Sequence, residues 1–552
     1  MAKHDTLRVK IVFGCVILAT SLITWRLFVL SYIRHTLYSQ TAQAQNQNIS
    51  NILIRGNIFI QDPKATGTST DQRYLVATNK KFPLVYATPA TLVDPTATAS
   101  QLAAILNIDL STLKESLVSG STVSKIIARK LTTDQVDAIN QLNIKGVGIR
   151  YETNRFYPAD SFLSQVLGFL GYGGNGRLGQ YGIEGYFDDE LSGQASGASS
   201  PQPDDIVLTI DRNVQTFAES ELRIVMTKWQ ATGGSIIVQD PQTGKIIAMA
   251  QEPTFDPNNY SLSKTSSYIN ANTQGMFEPG SSFKPITMAM GLDLGKITPT
   301  TTYIDSGVIE IAGRQIHNFD GLAHGTETMT QVLEKSLNTG AAFVENLVGQ
   351  DSFLDYAINF GFGQKTGVDL PAEVSGDVGN LYSGRQINFV TASFGQGIAV
   401  TPIQLVTAYS ALANGGKLMK PYIVDRIIHE GGAEDVTTPE VASIPISEKT
   451  AAKIRSMLVS VVDVGFDKAR IKGYAVAGKT GTAQIADGHG GYEKDVFIHD
   501  FLGFAPASNP KFTILIKMDK PQGITFAADS LSPTFRNVAA YLLNYYNIPP
   551  TR

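Results

Sequence analysis

Apolar residues are distributed in distinct patterns along the chain. Residues 11–25 are almost unbroken apolar sequence, stopped by Arg26 and resumed over residues 27–33. A helix over this run holds about 23 residues and is roughly 34 Å long, enough for a bilayer core of roughly 30 Å. Lys3, Arg8 and Lys10 precede it. By charge bias this places residues 1–10 in the cytoplasm, residues 11–33 in the membrane as a single-pass anchor, and the rest outside the cytoplasm. Arg26, near the far end, snorkels to the outer interface. A cleaved leader is the weaker reading, because the small-x-small triplet Ala42-Gln43-Ala44 lies too far beyond the run, with Arg26 and Arg34 between. Cys15 does not read as a lipid-attachment site, since bulky Phe13 stands where a small residue is wanted.

Residues 34–203 mix short strand-like and helical patterns. Residues 36–50 are mostly polar and uncharged, as in a juxtamembrane segment. Tyr74-Leu75-Val76-Ala77 reads as strand. Thr98 with Gln101 forms a capping-box pattern that predicts a helix over the apolar residues 102–106. Thr132 with Gln135 does the same before Val136, Ile139 and Leu142 at helical spacing. The glycine-rich residues 171–185 lack the strand, helix and Gly-Lys-Ser/Thr of a phosphate-cradling loop and read as a connecting loop. Residues 194–203, rich in Ser, Gly and Pro, read as a linker. No catalytic constellation occurs in this region, so it reads as a non-catalytic scaffold.

From Asp205 the pattern changes. Ile206-Val207-Leu208-Thr209-Ile210 predicts a strand followed by a helix reaching Val225. Two apolar strands over residues 234–240 and 245–250 flank Pro241-Gln242-Thr243-Gly244 and predict a hairpin. Tyr474-Ala475-Val476-Ala477 and Phe512-Thr513-Ile514-Leu515-Ile516 predict further strands, with long helical stretches between. Strands at both ends with helices between imply an α+β domain whose sheet joins distant parts of the chain.

Composition narrows the function. A chain of 552 residues exceeds one ordinary core, and 43% hydrophobic with 17% charged residues is globular. A net charge of -4 argues against nucleic-acid binding. A single cysteine and seven histidines, none in an H-E-x-x-H pattern, argue against a metal site, and no cofactor motif is present.

The chemistry lies in three motifs that follow one another. Ser281-Ser282-Phe283-Lys284, Ser336-Leu337-Asn338 and Lys479-Thr480-Gly481-Thr482 are the parts of a serine acyl-transfer site with lysine as base. Ser-x-x-Lys also occurs at Ser111/Lys114, Ser261/Lys264 and Ser508/Lys511, so context decides. Pro279-Gly280 breaks the chain, and Pro285 requires a helix to begin close to Ser281. Phe283, Ile286 and Met290 then form its buried stripe, and Lys284 stands one turn from Ser281 on the same side. A buried lysine removes the serine proton when desolvation and a neighbouring cation lower its pKa. Ser336 is placed to bridge protons between Lys284 and a leaving amine, and Asn338 to hold Lys284 or a substrate amide. Alone, Ser336-Leu337-Asn338 reads more readily as an ordinary polar turn. Lys479, Thr480 and Thr482 suit a substrate carboxylate, Gly481 lets substrate lie along the strand edge, and the N–H groups of Ser281 and Thr482 suit an oxyanion hole. Lys365-Thr366-Gly367, a second Lys-Thr-Gly, reads as a loop.

With these motifs stand Arg155-Phe156-Tyr157-Pro158, Gly168-Phe169, Gly182-Ile183-Glu184-Gly185, Leu208-Thr209-Ile210-Asp211, Phe394-Gly395-Gln396-Gly397 and Thr401-Pro402-Ile403-Gln404. Over residues 50–545 the chain resembles the class B penicillin-binding proteins, monofunctional peptidoglycan D,D-transpeptidases, and is most similar to their division type. Arg55-Gly56-Asn57-Ile58 matches a further family stretch, but the Phe59-Ile60-Gln61-Asp62 that follows departs from the family's Asp-Arg-Asn-Gly. The resemblance implies a mixed α/β pedestal of dimerisation type over 34–203. It also implies a β-lactamase-like transpeptidase domain over 204–549, an antiparallel sheet flanked by helices. It implies acylation of Ser281 by a stem peptide ending in D-Ala-D-Ala, release of D-Ala and transfer to a neighbouring amine in septal wall synthesis. β-Lactams are the implied covalent inhibitors, and a membrane-embedded glycan polymerase with divisome proteins the implied partners. The rival readings are a D,D-carboxypeptidase, a β-lactamase (Glu334-Lys335-Ser336-Leu337-Asn338 fits one glutamate motif) and an acylated β-lactam sensor.

Overall fold

A computed structural model describes residues 20–21, 24–25, 54–64, 72–173, 176–194, 202–486 and 491–552. The apolar run 11–33 lies outside the described residues except for Thr20, Ser21, Thr24 and Trp25, which are helical. Cys15, the Ala42-Gln43-Ala44 triplet and most of the 194–203 stretch also lie outside them. Among the described residues no helix is long and apolar enough to cross a membrane. The chain divides into two compact units, Met1–Ile54 with Lys80–Asn154, and Arg55–Asn79 with Arg155–Arg552.

Strands β1 (Ile58–Gln61) and β2 (Arg73–Ala87) come first, and β2 runs from the second unit into the first. Helices α1 (Pro95–Leu106) and α2 (Leu110–Val118), strand β3 (Lys125–Arg129), helix α3 (Thr133–Leu142) and strand β4 (Val147–Phe156) follow. In the first unit Leu84 to Ala87 pair antiparallel with β3. The three helices bury Leu102, Leu106, Leu113, Leu117 and Ile139 against Val85 and Ala87. The predicted capping box at Thr132 and Gln135 is present. The one predicted at Thr98 is not. Asp94 caps α1, accepting from the Ala97 N–H with Pro95 in the first turn, and Thr98 lies inside the helix with its hydroxyl on Asp94 O at 2.7 Å. An Asp-Pro pair outcompetes the later threonine because proline is pre-organised for the first turn.

In the second unit the glycine-rich stretch is more ordered than a connecting loop. It forms the hairpin of β5 (Phe169–Gly173) and β6 (Gly176–Gln180), then a short helix, α4 (Gly182–Tyr186). The landmark residues meet at Glu184, which is fully buried at the start of α4. Arg55 Nε and Arg155 Nε each reach one of its carboxylate oxygens at 2.6 Å, and Tyr157 Oη lies 3.2 Å away. Arg55 also pairs with Asp188 at 2.7 Å, and Arg155 donates to Gly56 O at 2.7 Å. Burial would raise the Glu184 pKa, but the two guanidinium groups overcome it and hold the carboxyl below its ordinary value. Asp62, in the stretch that departs from the family pattern, pairs with Arg212 at 2.9 Å.

Strand β7 (Asp205–Asp211) leads to helix α5 (Arg212–Trp229), capped by Asp211. Strands β8 (Gly233–Gln239) and β9 (Ile246–Glu252) form the predicted hairpin. Helices α6 (Lys284–Asp293), α7 (Met329–Glu334), α8 (Asn338–Val348) and α9 (Pro402–Ala413) follow. Strands β10 (Ala477–Ala486), β11 (Tyr492–Ala505) and β12 (Phe512–Asp519) then return to the sheet, and helix α10 (Ser532–Tyr545) closes the unit. The five strands run β10-β11-β12-β8-β9, every neighbouring pair antiparallel. Strand alternation divides the core. Ile236, Val238, Ile514 and Ile516 pack with α5 and α10, while Ile237, Leu502 and Leu515 join the cluster holding α6 and α9. β10 is therefore an edge strand, and the helices carrying the first two motifs pack toward it from the second face.

Breaking a buried ion-pair network by removing one charge is expensive. Glu184→Gln is expected to lower unfolding stability by about 3–5 kcal/mol, against no more than about 0.5 kcal/mol for Asp189→Asn, measured by denaturant titration.

Candidate active site

Pro279 and Gly280 turn the chain so that Gly280–Phe283 forms a single 3₁₀ turn leading into α6, with Pro285 in the first turn of the helix. Ser281 thus stands in the turn just before the helix. Gly280 has φ +57° and donates to Gly395 O at 3.0 Å. A Cβ on Gly395 would lie 2.2 Å from Gly280 O, so only glycine allows this approach. The turn is tied further by Ser282 Oγ on Pro279 O (2.8 Å) and Tyr409 Oη on Ser282 O (2.6 Å). Phe283, Ile286 and Met290 are fully buried, as their spacing predicts.

Lys284 is 0% exposed and its Nζ lies 3.0 Å from Ser281 Oγ and 3.2 Å from Ser336 Oγ, with a further bond to the Ser336 carbonyl. Burial, followed by the nearby Lys479 ammonium, pushes the Lys284 pKa well below its ordinary value. The three contacts suit a neutral amine, which has two N–H donors for Ser336 and one lone pair for the Ser281 hydroxyl. Ser336 sits between α7 and α8 at φ +58°. Its turn is fixed by Asn318 Oδ1, which accepts from the N–H groups of Asn338 (3.0 Å) and Thr339 (3.3 Å). Asn338 does not hold Lys284. Its Nδ2 donates to His317 O at 2.9 Å, and the Ser336 carbonyl takes the place expected for it at the lysine.

Lys479, also 0% exposed, brings its Nζ to Ser336 Oγ at 3.1 Å and Thr480 O at 3.1 Å, 4.7 Å from the centre of the Phe466 ring. Burial brings its pKa down to about 7, opposed by the charge of Asp500. Gly481 has a different reason from the one expected. A Cβ there would lie 2.4 Å from Asp500 Oδ2 and 2.6 Å from Pro279 O. The glycine therefore lets the edge strand press against the Ser281 turn and Asp500, rather than clearing space for a ligand.

Ser281, Ser336, Asn338, Thr480 and Thr482 line one cleft of about 240 Å³. The same cleft exposes residues that motif reading did not assign. Phe394 and Gln396 belong to a glycine-flanked run that was legible as a landmark. Phe319 and Phe526 meet edge to face at 5.3 Å across the opening. Phe319 lies in a polar loop and Phe526 just before the short helix Ala527–Ser530, and nothing in their local sequence marks them. The competing Ser-x-x-Lys pairs are all exposed at both residues. Lys365-Thr366-Gly367 is a loop, with the N–H groups of Thr366 and Gly367 donating to Glu373 at 2.7 and 3.0 Å.

A buried lysine bonded to a serine that a second lysine also reaches, beside a sheet edge, defines a serine acyltransferase of the penicillin-recognising type. The family described as the penicillin-binding protein transpeptidase domain matches residues 234–540, and the penicillin-binding protein dimerisation domain matches residues 67–202. The chain belongs to the class B penicillin-binding proteins. Stage V sporulation protein D of Bacillus subtilis is 35% identical over 505 residues, covering 86% of this chain and 77% of that protein. Peptidoglycan D,D-transpeptidase FtsI of Escherichia coli is 29% identical over 474 residues, covering 81% of this chain and 77% of that one. The crystal structure of penicillin-binding protein 3 of Mycobacterium tuberculosis with aztreonam superposes with a TM-score of 0.66 at 30% identity, covering 73% of this chain and 92% of that one.

Gly481→Ala is expected to destabilise the protein by about 1–3 kcal/mol, as overpacking does, and to lower its thermal midpoint. Gly523→Ala, at a positive-φ position in open space, is the control for backbone strain alone.

Proposed function

We propose that this chain is a peptidoglycan D,D-transpeptidase acting through an acyl-enzyme on Ser281. The observation that carries the reading is the continuous polar chain Ser281 Oγ, Lys284 Nζ, Ser336 Oγ, Lys479 Nζ, with steps of 3.0, 3.2 and 3.1 Å and both lysines buried. Neutral Lys284 takes the proton as Ser281 Oγ attacks the carbonyl of the penultimate D-Ala of a stem peptide. The N–H groups of Ser281 and Thr482 are the oxyanion donors of this reading. The proton passes from Lys284 through Ser336 to the amine of the departing D-Ala as the amide bond breaks, leaving an ester on Ser281. An amine from a second stem then attacks that ester, gives up a proton along the same route and forms the cross-link as Ser281 is released. Cationic Lys479 with Thr480 and Thr482 binds the terminal carboxylate, and Asn338, whose Oδ1 is not used by the His317 contact, orients the substrate amide. β-Lactams enter as substrate mimics whose acyl-enzyme persists.

Residues 11–33 act in this reading as a single-pass anchor, 34–203 as the pedestal and 204–549 as the transpeptidase domain in septal wall synthesis beside a membrane-embedded glycan polymerase and divisome proteins. The length of the apolar run and the ranges of the two family matches support that layout.

Wild-type protein is expected to form a stable adduct with fluorescent penicillin that maps to Ser281 and outlasts many minutes; rapid release of hydrolysed drug would favour the β-lactamase alternative. Ser281→Ala should abolish the adduct without loss of fold. Lys284→Arg, which carries a permanent charge, should slow acylation by at least about 10²-fold. Because the amine must be neutral, acylation should fall as pH drops through the Lys284 pKa, and that fall should lie well below the pH range in which an ordinary lysine takes up its proton. Exchange of a D-amino acid into a stem-peptide thioester tests transfer, and absence of exchanged product counts against it. A tagged protein should gather at mid-cell, and a uniform side-wall distribution would exclude the septal assignment.

A further inference from the structure

Asp500 takes no part in the acyl transfer described above, yet it sits behind it. β11 places Asp500 directly opposite Gly481 on β10 and Lys517 on β12, and diagonal to Lys479, whose own partner is Leu502. Paired residues share a face of a sheet, so Lys479, Asp500 and Lys517 all project to the side that packs on α6 and α9. Asp500 is 0% exposed, and its only neighbouring uncharged donors, the Ser282 hydroxyl and the Gly481 N–H, are too poorly aligned to make well-formed hydrogen bonds to its carboxylate oxygens. A buried carboxylate so poorly served by donors is costly and calls for a physical reason.

The groups around it narrow the choice. From the turn, the Ser282 hydroxyl donates to Pro279 O at 2.8 Å while also facing Asp500, and from α9 the Tyr409 hydroxyl donates to Ser282 O. From β12, the Lys517 ammonium is paired with Asp519 and lies 5.2 Å from the Phe277 ring centre. From β10 comes Lys479, whose hydrogen-bond partners are the neutral Ser336 Oγ and Thr480 O. Asp500 is thus the carboxylate whose charge acts on Lys479. Burial pushes the Asp500 pKa up to about 7, and the Ser282 hydroxyl, the Lys479 and Lys517 charges and the Gly481 N–H oppose that rise.

We infer that Asp500 is a positioning residue whose buried negative charge keeps Lys479 protonated, so that Lys479 both grips the substrate carboxylate and holds Lys284 neutral. Asp500 acts through Lys479 and touches no substrate. The inference rests on Ser281 and Lys284 being the acylating pair. It also accounts for Gly481, since any side chain there would occupy the space between the carboxylate and the strand.

The test is the pH profile of the second-order rate of acylation by fluorescent penicillin for wild type, Asp500→Asn and Asp500→Ser, each checked for fold by circular dichroism. Without the anion, Lys479 gives up its proton at lower pH and the carboxylate grip goes with it. The alkaline limb of the profile should therefore move down by about one pH unit in both neutral variants, the shift typical of losing a nearby opposite charge. A merely structural role would lower the rate equally at all pH values. Labelled wild type with an unmoved limb in either folded variant overturns this inference alone. Wild type that is not labelled at Ser281 overturns the acyl-enzyme reading and this inference with it.

Discussion

The site depends on the mutual repulsion of two buried amines. Lys284 and Lys479 both contact the Ser336 hydroxyl, at 3.2 and 3.1 Å, and both lysine side chains are fully buried. Two ammonium groups so placed cannot both be comfortable, so desolvation and repulsion push one of them toward the neutral form. The asymmetry comes from what else each touches. Lys284 faces hydroxyls and a carbonyl, whereas Lys479 lies on the face of the sheet shared with Asp500 and close to the Phe466 ring. In the proposed reaction this asymmetry makes Lys284 the base and Lys479 the cation. Without this division a serine hydroxyl in a cleft would be chemically inert.

Holding that repulsion in place requires rigid surroundings, and the fold supplies them where separate elements cross. The Ser281 turn is clamped between the edge strand, which approaches through Gly481, and the loop carrying Gly395. Tyr409 from α9 and Asn318 from the loop before α7 fix the two turns by backbone hydrogen bonds. The strands bringing Lys479 come from more than two hundred residues after the hairpin they extend, so the geometry exists only when the whole unit is folded. The buried Arg55, Arg155 and Glu184 cluster likewise joins the short Arg55–Asn79 piece to the remainder of that unit. It is an arrangement in which no charge can be removed without stranding another.

Much of this was legible beforehand because it is local. Proline and glycine punctuation located the helix after Ser281, β-alternation located the hairpin at Pro241-Gln242-Thr243-Gly244, and capping chemistry located α3. Local rules failed where two local signals competed. At α1 the Asp94-Pro95 pair displaced Thr98 as cap, and in the glycine-rich stretch the antiparallel pairing of Phe169 with Gln180 made a hairpin of what composition marks as loop.

The sequence by itself determined the chemical parts: a serine and a lysine one turn apart, a Ser-x-Asn and a Lys-Thr-Gly in order, and an apolar stretch long enough for a membrane. Tertiary structure decided which contacts those parts make. It turned Asn338 toward His317, gave the Ser336 carbonyl to Lys284, set Gly481 against Asp500 and brought Phe319 to Phe526. The reason is that identity and spacing act over a turn or a strand, while burial and charge depend on neighbours hundreds of residues away.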